Sequence, residues 1–354
     1  MRITKTSDSR IDSVDFSNLP FGRVFSDHML ISHYKNGSWQ EAQIIPYGNI
    51  SMTPGSQVLH YGQSVFEGMK AFKTNNDEVL IFRKEMNYDR LNQSAKRLSI
   101  PSIPKKMFID GLNELVSLDS KWCKKEEGYS LYLRPFIFAS SECIKASASE
   151  EYTFIIITAP TKNYYPHAID LVIEEHYSRA AKGGVGFAKA AGNYAASFYP
   201  TKQANAKGFT QVIWTDAATH KNIEESGTMN IWFRINDRLI TPTTSDSILA
   251  GITRLSILQL ANDLGIDVEE RVVSVDEIIK AHNEGILKEV FGTGTAVTVA
   301  PVQSLTYRDV KMLIPEQSNS YAVKLKKMLQ DIQKGRIKDS YKWTTKVVSK
   351  AYNC

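Results

Sequence analysis

The sequence predicts a mixed α+β protein of two lobes, and three observations predict it. Short runs of branched and aromatic residues alternate with stretches whose apolar residues recur every three or four positions. A polar segment with two prolines, Pro160 and Pro166, separates two such blocks. The length, 354 residues, suits about two domains at roughly 150 residues each. We expect a small N-terminal α/β domain at 1–160, a linker at 161–168 and a larger domain at 169–354.

Taken in order, Val79–Phe82 (VLIF) reads as a buried strand. Residues 87–98 follow with Leu91, Ala95 and Leu98 on one helical face, which puts Arg90 at the opening of a helix. Residues 108–118 are helical by period. Residues 130–139 and 152–158 are rich in aromatic and branched side chains and read as core strands. In the second half, strands are expected at 171–174, 211–214 and 229–235. A helix over about 254–264 should stop at Gly265, where a glycine after the last turn is favoured. Ser274 and Glu277 form a capping-box pattern before Ile278 and Ile279. Residues 287–291 form a strand entering a glycine-threonine loop. An amphipathic helix through Ala322, Leu325, Leu329 and Ile332 closes the chain.

Composition narrows the function classes. Hydrophobic residues make up 42% and charged residues 23%, as in ordinary globular proteins. The net charge of +5 is spread over scattered lysines, with no arginine stripe to suggest nucleic acid. Cys123, Cys143 and Cys354 form no CxxC pair, so neither a disulfide framework nor a zinc site is expected, and no other metal site is. The N-terminus has no apolar stretch and carries Asp8, Asp12 and Asp15. The longest apolar run, residues 154–159, is too short to span a bilayer. A cytoplasmic protein without a membrane partner is therefore expected.

Four constellations could carry chemistry. In GGVGFAKAAGNY, residues 183–194, glycines and alanines surround a single lysine, Lys189. Small residues let backbone approach a flat ligand, and a desolvated lysine can serve as a Schiff-base nucleophile. Taken alone, the segment reads more readily as a flexible loop with a solvated lysine. In EESGTMN, residues 224–230, a carboxylate precedes a Gly-Thr turn that feeds a strand, or else decorates an acidic surface turn. GITRLSI, residues 251–257, opens a helix, whose free N–H groups suit a phosphate. FGTGTAV, residues 291–297, is a small-residue loop with hydroxyls. It lacks the third glycine of a dinucleotide fingerprint, and GGVGFAK fails the Walker spacing. Finally, LHYGQSVFEGMKAF (59–72) and YLRPF (132–136) supply Tyr61, Phe66, Tyr132 and Arg134. Aromatic walls suit an aliphatic side chain, and arginine suits a carboxylate, although core packing also explains aromatics.

Together and in this order, these motifs, with DRLNQSAKRL at 89–98, resemble branched-chain amino acid aminotransferases of the fold-type IV pyridoxal phosphate family. The resemblance implies a two-domain fold like that of D-amino acid aminotransferase, with the cofactor in the cleft between domains. It implies homodimers, exchange of amino groups between leucine, isoleucine or valine and 2-oxoglutarate, and ping-pong kinetics. Lys189 then matches the Schiff-base lysine that also moves the α-proton. Tyr194 matches the tyrosine on the ring oxygen and Glu225 the carboxylate on the pyridine nitrogen. Arg90, Ile252, Thr253 and Thr295 match the phosphate cup. Thr228 and Ala296 fall where the substrate carboxylate is held. Tyr61, Phe66, Tyr132 and Arg134 match the side-chain pocket, with Tyr61 crossing from a neighbouring subunit, and Arg179 aligns with an arginine behind the site. Two departures stand out. Val297 and Ala300 replace the redox CxxC pair of mammalian members, and Ile144-Lys145-Ala146 stands where members often carry Gly-Val. A D-amino acid transaminase, an aminodeoxychorismate lyase-like enzyme, a cofactor-free binding protein of the same fold and a phosphate-sugar binding protein are the competing readings.

Overall fold

The structure is a computed structural model and describes residues 1–162, 164–165 and 167–348, so Pro166 and Cys354 lie outside the described residues. The chain forms two compact units. One comprises residues 1–164, 188–191 and 331–354, and the other 165–187 and 192–330. The division thus departs from a single cut in the expected linker: Lys189 groups with the first unit, as does the end of the chain. Each unit is built on one ten-stranded sheet among the described residues.

In the first unit the sheet order is Arg2–Ile3, Gln43–Pro46, His28–Lys35, Tyr152–Thr161, Ser130–Ala139, Met69–Lys73, Val79–Phe82 and Thr344–Lys346. Apart from the parallel pair at its Arg2–Ile3 edge, the pairing is antiparallel. Two helices, Lys84–Arg97 and Lys105–Leu118, bury Leu91, Ala95, Phe108, Leu112 and Leu115 in the core with Leu30, Leu131 and Ile156. The strands expected at Val79–Phe82 and Ser130–Ala139 have those bounds.

Three elements differ from the sequence reading. The strand expected at 152–158 runs on to Thr161, through Pro160. His28–Lys35 reaches along it only as far as Ile157, so at Pro160 the strand bonds on one side, where a missing N–H is tolerated. The helix expected from residue 87 starts at Lys84, so Arg90 sits inside it rather than at its opening. Its first turn, Lys84 to Asn87, has Met86 as its one apolar residue and so shows no apolar period. The amphipathic helix Tyr321–Gln333 does not close the chain: Thr344–Lys346 returns to pair with Val79–Phe82.

The second sheet is mixed. Its order is Val268–Glu270, Arg238–Thr241, Asn230–Ile235, Leu287–Gly294, Thr298–Tyr307, Ile169–Ile173, Gln211–Thr215, Asn222–Ser226 and Val273–Ser274. Ile169–Ile173 runs parallel to both neighbours. The helix Ile252–Asp263 ends at Gly265, whose φ of +68° is the left-handed value a glycine adopts freely. Ser274 Oγ accepts from Glu277 N at 3.1 Å and caps the helix Val275–Asn283, the serine half of the expected capping box, while the Glu277 carboxylate accepts from Arg271. The strand expected at 287–291 extends to Gly294, so the glycine-threonine segment is mostly strand, with its turn at 295–297.

Candidate active site

In the first unit, Lys189 lies on a short strap pinned at three points. Its carbonyl accepts from Phe66 N at 3.1 Å, its own N–H donates to Ser94 Oγ at 2.9 Å, and Ala190 forms a β-bridge with Val65. The side chain is half-buried, with Nζ 4.7 Å from the centre of the Phe66 ring. The Phe66 ring also carries Arg134, whose guanidinium carbon is 4.7 Å from its centre and 5.4 Å from that of Tyr132. Arg134 Nη2 donates to Tyr132 Oη at 3.3 Å, while its buried Nε has no hydrogen-bond partner among the described residues. The structure therefore groups Lys189, Phe66, Tyr132 and Arg134. Tyr132 is seated against Gly68, where an added Cβ would meet Oη at 2.0 Å. Tyr61, at the end of the helix Val58–Tyr61, is exposed and donates to the Ile144 carbonyl.

Arg90 has a different partner from the helix terminus expected for it. Its Nε and Nη2 donate to the two carboxylate oxygens of Glu67 at 2.7 and 2.8 Å. Glu67 is fully buried and also accepts from Asn87 Nδ2 at 2.7 Å. Burial alone would push its pKa up. The charge and hydrogen bonds of Arg90, with the charge of Lys189, outweigh that and hold the carboxyl below its ordinary range.

In the second unit Glu225 is buried near the end of the strand Asn222–Ser226. Its Oε1 accepts from Leu249 N at 2.9 Å and from Asn230 Nδ2 at 3.2 Å. Arg179 Nε lies 2.6 Å from Oε2, an ion-pair contact outside hydrogen-bond geometry, and Arg179 Nη2 donates to the Gly186 and Ser247 carbonyls. Gly227, at φ +54°, turns the chain from this strand into Asn230–Ile235 and leaves Thr228 exposed. Next to Glu224, whose carboxyl is pushed up by burial, Ser247 supplies a hydrogen bond.

Asn230 joins Glu225 to the start of the helix Ile252–Asp263. It donates to the Leu249 carbonyl at 2.9 Å, and a Cβ on Gly251 would meet its Oδ1 at 2.0 Å. Gly251 is the N-cap and offers no side chain to the first-turn amides, so Ile252 and Thr253 begin a helix with no side-chain cap. Both are buried. Thr295 and Ala296 are half-buried in the turn at 295–297, and Tyr194 is half-buried in the first turn of the helix Ala191–Ala206. A buried carboxylate held by donors, an uncapped helix N-terminus and a lysine on a small-residue strap suit, respectively, a pyridinium nitrogen, a phosphate and a carbonyl carbon. Taken separately, each of these groups has the chemistry of one part of pyridoxal 5′-phosphate.

The sequence reading assigned no role to Glu67, Asn87, Ser94, Asn230 or Ser247. Glu67, Ser94 and Asn230 fall inside the quoted motifs, but nothing in their spacing names their partners. No group of three or more His, Cys, Asp or Glu side chains among the described residues is placed to hold a metal ion. No helix among them is long and apolar enough to cross a membrane. Cys123 is buried and its thiol is pushed up to about 12 by that burial.

Three comparisons bear on the chain. Residues 64–305 match the model of the amino-transferase class IV family. The branched-chain-amino-acid aminotransferase 2 of Bacillus subtilis is 45% identical over 340 residues, 95% of this chain and 94% of that one. The crystal structure of the Escherichia coli branched-chain amino acid aminotransferase superposes with a TM-score of 0.74 at 26% identity, covering 90% of this chain and 99% of the other. That of the T.th. branched-chain amino acid aminotransferase complexed with N-(5′-phosphopyridoxyl)-L-glutamate gives 0.72 at 25%, covering 90% and 98%. By its motifs, its mixed α+β fold and its relatives, this chain belongs to the class IV aminotransferase family.

Proposed function

We propose that the chain is a branched-chain amino acid aminotransferase that uses pyridoxal 5′-phosphate. It would move an amino group reversibly between leucine, isoleucine or valine and 2-oxoglutarate, giving branched 2-oxo acids and glutamate by ping-pong kinetics. The observation that carries the reading is the pinned Lys189 strap beside Phe66, in a chain 45% identical to a protein of that name.

When bound, the cofactor supplies an electron sink for the negative charge that develops at the substrate's α-carbon. Lys189 is the amine that anchors it and then carries the proton at that carbon. Glu225 takes the pyridine nitrogen and keeps it protonated. Tyr194 bonds the ring oxygen. Arg90, Thr295 and the first-turn amides of Ile252 and Thr253 hold the phosphate. Thr228 and Ala296 take the substrate carboxylate. Phe66, Tyr132 and Tyr61 wall the aliphatic side chain, with Tyr61 supplied by the second subunit of a homodimer. Arg134, held between aromatic faces, receives the distal carboxylate of glutamate. We place the enzyme in the cytoplasm.

The test is glutamate formation from 2-oxoglutarate with leucine, isoleucine, valine and D-alanine as donors. Faster turnover with D-alanine would overturn the assignment. Borohydride reduction followed by peptide mapping should fix the cofactor on Lys189, and Lys189→Ala should abolish steady turnover without added amine.

A further inference from the structure

Lys189 and Arg90 belong to a closed circuit of contacts in the first unit. Lys189 N donates to Ser94 Oγ. Ser94 lies one turn beyond Arg90 on the same helix. Arg90 is held by both oxygens of Glu67. Glu67 follows Phe66, whose N–H donates back to the Lys189 carbonyl. Glu67 is itself fixed: its N–H donates to the Pro135 carbonyl at 2.7 Å, and its Oε2 accepts from Gly68 N and Asn87 Nδ2. It is the anionic member of the circuit and is fully buried.

We propose that Glu67 is a positioning residue that sets the place of Arg90 relative to Lys189, and so fixes in advance the two points that a phosphorylated aldehyde must reach together. This rests on the assignment of Lys189 and Arg90 to the cofactor. An arginine has several rotatable bonds, and ordering it costs free energy at the moment of binding unless something has already ordered it. A two-point carboxylate clamp does that ordering in advance, and fixes the plane of the guanidinium as well as its position. Glu67 touches neither phosphate nor substrate in this scheme. It acts through Arg90.

The same carboxylate also neutralises part of the arginine's charge, which opposes phosphate binding, so the experiment must separate order from charge. Glu67→Gln keeps the size of the side chain but places an amide N–H₂ where a donor now finds an acceptor. Cofactor-free protein would be titrated with pyridoxal 5′-phosphate and, separately, with pyridoxal, which forms the same lysine adduct but has no phosphate. Adduct absorbance reports each dissociation constant, and thermal unfolding of the cofactor-free protein reports global damage.

Glu67→Gln is expected to weaken pyridoxal 5′-phosphate binding about 10- to 100-fold, against less than about 3-fold for pyridoxal. Arg90→Lys should do the same, and combining the two should add little. Equal weakening of both aldehydes, tighter binding of the phosphorylated one, or full additivity with Arg90→Lys would overturn the proposal. If Glu67→Gln does not fold, Glu67→Asp, which keeps the charge but withdraws the clamp by one methylene, must show the same selective loss. Failure of the wild-type protein to bind either aldehyde would instead remove the functional reading itself.

Discussion

Arg179 Nε lies 2.6 Å from Glu225 Oε2, while the other carboxylate oxygen is taken by Leu249 N and Asn230 Nδ2. Both side chains are buried. Breaking such a pair strands a charge away from water, which costs about 3–5 kcal/mol. Arg179→Met should lose about that much stability in denaturant unfolding of the cofactor-free protein at neutral pH. Adding Glu225→Gln should recover most of the loss. Additive losses in the double variant would show that the two side chains are not coupled.

Gly251 has an ordinary backbone, with φ −68°, so its constraint is space alone. Gly251→Ala would drive a methyl into Asn230 Oδ1 and shift the amide that supports Glu225. Overpacking of this kind costs about 1–3 kcal/mol. The expected result is a stability loss of that size together with weaker cofactor binding. A crystal structure of the variant with Asn230 unmoved would refute the account.

Ser274→Ala removes the oxygen that accepts from Glu277 N, and an N-cap of this type is worth about 1 kcal/mol. Turnover should be unchanged while the unfolding midpoint falls. Ser274→Asp should retain wild-type stability, because aspartate accepts the same bond.

The Glu67–Arg90 pair also makes an acid-dependent contribution. The folded pKa of Glu67 lies below its unfolded value. The stabilisation is therefore complete above the ordinary glutamate range and is lost as pH falls through the folded value. The stability gap between wild type and Glu67→Gln should be widest near neutrality and should shrink below about pH 4. A gap that stays constant with pH would mean that the carboxylate's charge plays no part.

Some of this was legible in the residues because its causes are local. The Ser274 cap, the Gly265 stop and the strand Val79–Phe82 depend on neighbours within a few positions. The motif around Lys189 was legible for a different reason, since resemblance supplied what spacing could not. The partners that hold the site were not legible. Glu67 and Arg90 are 23 residues apart, and Ser94 and Lys189 are 95 apart, so no periodicity links them. The start of the helix at Lys84 was hidden by a first turn with a single apolar residue, Met86, that follows Arg83 in the left-handed region. The strand Thr344–Lys346 was missed because a short, polar edge strand has no alternating apolar pattern to read.

That last strand has a consequence for how the molecule is made. It pairs with Val79–Phe82, and Trp343 just before it accepts the Arg83 amide and packs under the Arg83 guanidinium. These residues leave the ribosome only after every residue of the second unit has done so. On a growing chain the first sheet therefore waits with Val79–Phe82 as a bare rim, open to pairing with other chains. The order of synthesis makes the N-terminal unit the last to be finished.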